Sequence, residues 1–125
     1  FVLGVTDGTG KMLDPYRTRE SHRASSADVA RVLRSMLCTV VEEGIGGDAA
    51  PEEGGAGGKT GTAQTGQFTA EGEELLNYWF SGFYPAEQPR YTITVLQDGV
   101  LEPAASSAAI FARIANALHV LENSY

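Results

Sequence analysis

Seven apolar residues recur at helical spacing along one short stretch. Val29, Val32, Leu33, Met36, Leu37, Val40 and Val41 stand at i, i+3, i+4, i+7, i+8, i+11 and i+12. Only an α-helix brings that set onto one face. Ser25 or Ser26 can cap its start, and Asp28 adds negative charge where the helix dipole is positive. Gly44 follows the last periodic residue and offers a stop. A helix with so continuous a stripe calls for a second layer to pack on.

The second half of the chain supplies it. Residues 78–84, YWFSGFY, read as a strand stopped by Pro85, with aromatic side chains on both faces and hence a central or well-covered place. Residues 91–96, YTITVL, alternate: Tyr91, Ile93 and Val95 share one face, Thr92 and Thr94 the other. The short link 85–90 suits an antiparallel pair. A closing helix spans about 105–121 on the stripe Ile110, Phe111, Ile114, Ala115, Leu118 and Leu121. Residues 1–13 read as a short strand and turn around Asp7-Gly8-Thr9-Gly10, and 16–24 as polar loop. Residues 44–58, rich in glycine, are expected to bury little and form a mobile surface loop, and 65–76 a connection. The expected fold class is α/β (α+β): an antiparallel sheet of at least three strands flanked by helices.

Bulk properties remove several function classes. A net charge of −7 over 125 residues opposes nucleic-acid binding, which needs clustered Lys and Arg. Arg17, Arg19 and Arg23 form the one basic group near the start and read as a solvated loop face. The single Cys38 falls in the helical pattern and reads as a buried, inert thiol. His22 and His119 have no ligand-spaced neighbours, so no metal site or cofactor is expected. No apolar run nears the roughly 20 residues of a membrane span. The chain begins at Phe1 without Met, which reads as a piece of a longer protein, so the absence of a targeting segment carries no information on compartment.

The chemistry-bearing stretch is Gly58-Lys59-Thr60-Gly61-Thr62-Ala63-Gln64. An ammonium, two hydroxyls and a residue without a side chain suit a site that grips a carboxylate and polarises an acyl carbonyl. In a strand, Lys59, Gly61 and Ala63 face one way and Thr60 and Thr62 the other; twist decides which face meets a ligand. Gly61 lets a ligand approach the backbone, an extended ligand could pair with the strand's free edge, and a backbone N–H could be half of an oxyanion hole. Gly58-Lys59-Thr60 also mimics the end of a P-loop. That pattern needs glycine at position 53, which is Glu53, then a helix, and Gly61-Thr62-Ala63 starts none. A nucleotide-binding module is therefore the weaker rival.

Beyond the box itself, residues 32–44 (VLRSMLCTVVEEG), 58–64 (GKTGTAQ), 77–85 (NYWFSGFYP) and 109–117 (AIFARIANA) keep a common order. In that order and wording the chain resembles the C-terminal half of a class B penicillin-binding protein transpeptidase domain, over most of 1–125. The resemblance implies a β-lactamase/transpeptidase-like fold. It implies a serine-type D,D-transpeptidase parent that cross-links peptidoglycan by acyl transfer, with a D,D-carboxypeptidase, a β-lactamase or a β-lactam sensor left open. It gives Lys59 a part in proton transfer and electrostatics, Thr60 and Thr62 the substrate's terminal carboxylate, Thr62 N–H the oxyanion hole, and Gly61 an open strand. Trp79 would be structural. The implied partners are the D-Ala-D-Ala stem peptide, β-lactams and the upstream half of the same domain, at the extracytoplasmic face of the cell membrane. Two of the family's boxes are absent. Three residues before Lys11 and Lys59 stand Gly8 and Ala56, so there is no Ser-x-x-Lys, and no serine has Asn two positions on. The chain is expected to be inactive alone. A non-catalytic interaction domain of the same fold is a further alternative.

Overall fold

A computed structural model describes residues 4–15 and 23–124. Arg17, Arg19 and His22 lie outside the described residues. The elements run β1 (Gly4–Thr6), β2 (Met12–Pro15), α1 (Ala27–Glu42), a 3-10 turn (Gly47–Ala49), β3 (Gly57–Phe68), β4 (Glu74–Tyr84), β5 (Tyr91–Val100) and α2 (Ser107–Glu122). β1 and β2 form a small hairpin of their own; β3, β4 and β5 form an antiparallel sheet in that spatial order. β4, aromatic on both faces, is central as its composition required.

The register sorts the faces. Thr60 pairs with Phe80 and Thr62 with Tyr78, while Phe80 pairs with Val95 and Tyr84 with Tyr91. These residues share the face on which α2 lies. Phe80 and Phe111 are fully buried there, with ring centroids 4.8 Å apart, and Val95, Ala108 and Ala115 close around them. Both ends of α2 are tied to the sheet: Ser107 Oγ donates to Tyr78 O (2.9 Å), and Tyr84 Oη meets His119 Nδ1 (3.0 Å). Ser106 caps the helix, its Oγ accepting from Ala109 N.

Three local expectations are revised. Residues 65–76 are not a loose connection. β3 continues to Phe68 and β4 begins at Glu74, so the two strands make one long hairpin with a register irregularity between Gln64 and Gln67. Polar side chains hold this stretch in strand form: Gln64 Nε2 and Gly66 N donate to Glu74, and Thr65 Oγ1 to Leu75 O. The glycine-rich segment buries more than its composition predicts. Ala49 and Ala56 are buried in the core, because side chains this small fit where α1, α2 and β3 converge. Finally, α1 is capped by Ser26, as one of the two candidates, but most of its apolar stripe is uncovered. Val41 is buried, whereas Val29, Val32, Leu33 and Met36 are at least half exposed.

Candidate active site

The Lys-Thr-Gly stretch lies inside β3, an edge strand with β4 on one side and, among the described residues, no strand on the other. In an antiparallel pair the N–H and C=O of a residue point to the same side, and successive residues alternate. A Cβ built on Gly58 would stand 2.8 Å from Ser81 O, and one on Gly82 2.6 Å from Gly57 O. Those carbonyls therefore point across the β3–β4 seam. Ser81 pairs with Lys59, so Gly57, Lys59 and Gly61 spend their backbone groups on β4. Thr60 and Thr62 then turn theirs to the free edge. The Thr60 carbonyl accordingly accepts from Lys59 Nζ at 2.9 Å, and Thr60 Oγ1 lies 3.2 Å from the same nitrogen. The ammonium thus folds over the edge to join the Thr60 hydroxyl, which its strand position places on the opposite face.

Glycine is needed here for different reasons at different places. At Gly58 a Cβ would also fall 2.5 Å from Phe80 Cζ, so the strand can pass over the buried ring only without a side chain. At Gly61 a Cβ would meet only Trp79 Cβ, at 3.6 Å, an ordinary contact. The bare backbone at Gly61 answers to no neighbour within the fold. Trp79, opposite Gly61, keeps 37% of its surface exposed on the face that Lys59 shares.

On the α2 face a cavity of about 260 Å³ opens beside β3, lined by Thr60, Thr62, Ile45, Asp48, Pro103 and Ser106 among others. Asp48 sits in the 3-10 turn and accepts from Ser106 Oγ at 2.8 Å, linking that turn to the start of α2. Sequence reasoning missed Asp48, Pro103 and Ser106. Ser106 could have been found as the cap preceding the closing stripe; Asp48 had no signal, because only folding brings it opposite β3.

Elsewhere the titratable groups are structural. Cys38, expected to be buried, is only half-buried on α1, and burial, then Glu42, push its thiol above the ordinary value. Hydrogen bonds from Thr9 Oγ1 and the amides of Thr9 and Lys11 hold Asp7 below the ordinary carboxylate value, closing the β1–β2 turn. Among the described residues no three His, Cys, Asp or Glu side chains are grouped to hold a metal. None of the described helices is long and apolar enough to cross a membrane.

Comparison with known proteins adds ancestry to this geometry. The family model for the penicillin-binding protein transpeptidase domain matches residues 7–116. Penicillin-binding protein PbpB of Mycolicibacterium smegmatis is 36% identical over 111 residues, covering 78% of this chain and 17% of that protein. Penicillin-binding protein 3 from Mycobacterium tuberculosis is similar in structure. Its apo form has a TM-score of 0.70 at 30% identity, covering 93% of this chain and 29% of the other. Its aztreonam complex has a TM-score of 0.67 at 32% identity, covering 90% and 29%. The chain thus spans under a fifth of the length of the curated relatives it matches.

Proposed function

The chain belongs to the penicillin-binding protein transpeptidase domain family, and from that premise we propose that it supplies the Lys-Thr-Gly wall of a D,D-transpeptidase site that cross-links peptidoglycan stem peptides. The observation carrying this reading is the free edge of β3, where Lys59 Nζ, two threonine hydroxyls and the outward N–H of Thr62 stand together beside an unobstructed Gly61.

Each group has a task in acyl transfer. A D-Ala-D-Ala end laid along the edge places its terminal carboxylate against the hydroxyls of Thr60 and Thr62, with Lys59 supplying the opposite charge. The Thr62 N–H faces the scissile carbonyl oxygen as negative charge develops on it. One such donor is worth roughly 10²–10³ in rate. The nucleophile is a serine of the parent protein. Its Oγ bonds to the carbonyl carbon while its proton passes to a base; the C–N bond then breaks, the departing nitrogen takes that proton, and D-Ala is released. An amine of a second stem then displaces the serine and restores the hydroxyl. Lys59 acts on charge and proton position, not as nucleophile. The work belongs at the extracytoplasmic face of the membrane, where the polymer is assembled.

The test is penicillin acylation of the parent protein. The unaltered parent should label and Lys59→Ala should not; near-normal labelling of the variant overturns the role of Lys59. The 125-residue chain alone, lacking Ser-x-x-Lys, should remain unlabelled by a fluorescent penicillin. The nucleotide reading has no support from this geometry, because Gly58-Lys59-Thr60 runs within a strand and opens no helix.

A further inference from the structure

The free edge of β3 has a built end. From Gly57 opposite Phe83 to Gln64 opposite Leu76 the strand pairs with β4 residue against residue, and pairing resumes with Gln67 opposite Leu75. Thr65 and Gly66 are the extra residues of a bulge, and Gly66 takes φ +70°, where a residue with a side chain is strained. Backbone groups alternate along the regular stretch, so Gln64, like Thr60 and Thr62, turns its N–H and C=O to the free edge. Beyond Gln64 that alternation is broken.

Side chains hold the bulge, and Glu74 holds it from both oxygens. Its Oε1 accepts from Gly66 N at 3.1 Å and its Oε2 from Gln64 Nε2 at 2.9 Å. Thr65 Oγ1 donates to Leu75 O and accepts from Gln67 N, replacing ladder bonds that the extra residues displace. Gln64 pairs with Leu76, so Gln64 and Glu74 lie on one face of the sheet. The Gln64 side chain is thereby drawn across the β3–β4 seam, away from the edge along which a ligand would lie.

We propose that Glu74 is a positioning residue for that edge: its carboxylate fixes the bulge and the Gln64 side chain, and so keeps the outward groups of Thr62 and Gln64 aligned for an extended ligand. This rests on the transpeptidase reading. Glu74 touches no substrate and acts through the strand. The ligand group it serves is the amide next to the reacting carbonyl. With the carbonyl oxygen at Thr62 N–H, the amide N–H of the same ligand residue faces Thr62 C=O, as in an antiparallel pair that exchanges both bonds.

Two β-lactams isolate that amide in the full parent protein. Benzylpenicillin carries it, and the unacylated aminopenicillanic acid nucleus has the same rings and carboxylate with a bare amine. The measured quantity is the ratio of their acylation rate constants, benzylpenicillin over the nucleus. Glu74→Ala should lower the ratio about threefold to tenfold, the span of one hydrogen bond. Glu74→Gln keeps an acceptor for Gly66 N and can meet a turned Gln64 amide, so it should restore the ratio to within about twofold. Gln64→Ala breaks one arm of the clamp and should lower the ratio about twofold to threefold. Rates that fall together in Glu74→Ala, leaving the ratio unchanged, make Glu74 a stabilising residue only and overturn its role. An unchanged ratio in Gln64→Ala does the same should Glu74→Ala not fold. Either result leaves the transpeptidase reading intact, whereas failure of benzylpenicillin to acylate the unaltered parent overturns that reading itself.

Discussion

Gly58 and Gly61 stand three residues apart on one strand and answer opposite demands. Gly58 is required by packing: a methyl there meets Phe80 Cζ at 2.5 Å and Ser81 O at 2.8 Å. Gly58→Ala must move a fully buried ring or part the β3–β4 seam, and should cost about 1–3 kcal/mol in urea unfolding. Gly61 has room for a methyl, with Trp79 Cβ at 3.6 Å. Gly61→Ala should leave the parent's unfolding midpoint nearly unchanged while sharply slowing penicillin acylation, since the methyl occupies ligand space along the edge. Equal losses of stability in both variants would refute this division. The sequence exposed the motif but not the division, because it depends on the cross-strand partner. Register, set by the whole hairpin, puts a buried phenylalanine beside Gly58 and a half-open tryptophan beside Gly61.

At the scale of elements, α2 is clasped to the sheet by polar groups at its C-terminal end as well as by the Phe80–Phe111 contact. Tyr84 Oη bonds to His119, and Tyr91 Oη donates to Glu122, which also pairs with Arg90 at 2.9 Å. Burial, then Glu122 and Glu53, push the Tyr84 hydroxyl above its ordinary value; the bond to Glu122, then burial, does the same for Tyr91. Both folded values lie above that of an unfolded tyrosine, near 10. Their contribution is therefore complete below about pH 10 and is lost as pH rises through the folded values. Denaturant midpoints taken between about pH 8 and 11 should fall more steeply for the unaltered chain than for a Tyr84→Phe, Tyr91→Phe double variant. Parallel slopes would remove the clasp from the pH response. Tyr84→Phe alone should cost about 1 kcal/mol at neutral pH, the loss of one hydrogen bond. α2 and the strands at 78–84 and 91–96 were legible because burial sets their periodicities, α2 burying one face against β4 and β5. The outer half of the β3–β4 hairpin was not. Residues 65–76 are held by side-chain bonds from Gln64 and Thr65 to the facing strand, and such pairing leaves no apolar period to detect.

Across the whole molecule the most telling surface is the one that contradicts ordinary burial. Val32 is 60% exposed, Leu33 52% and Met36 60%, on a helix whose stripe has the form of a core face. Sequence patterning recovered the helix correctly because periodicity records what a helix packs against in its working context. The chain covers 29% of the matched penicillin-binding protein 3 structure, and we propose that the stripe packs against the remainder of such a domain. The glycine-rich segment shows the converse: Ala49 and Ala56 are buried by contacts within the chain, though its composition reads as a surface loop that buries little. Two measurements of one substitution separate local from larger-scale packing. In the isolated chain, Leu33→Ala removes side-chain atoms already in water and should shift the thermal or urea midpoint by no more than about 0.5 kcal/mol. In the parent transpeptidase, the rest of the domain is expected to cover α1, and the same change should cost about 2–5 kcal/mol, as for a leucine in a core. An equally small effect in both would mean that the stripe stays exposed in the parent. A large effect in the isolated chain would mean that α1 packs against itself or a second copy, which sedimentation of that chain would reveal.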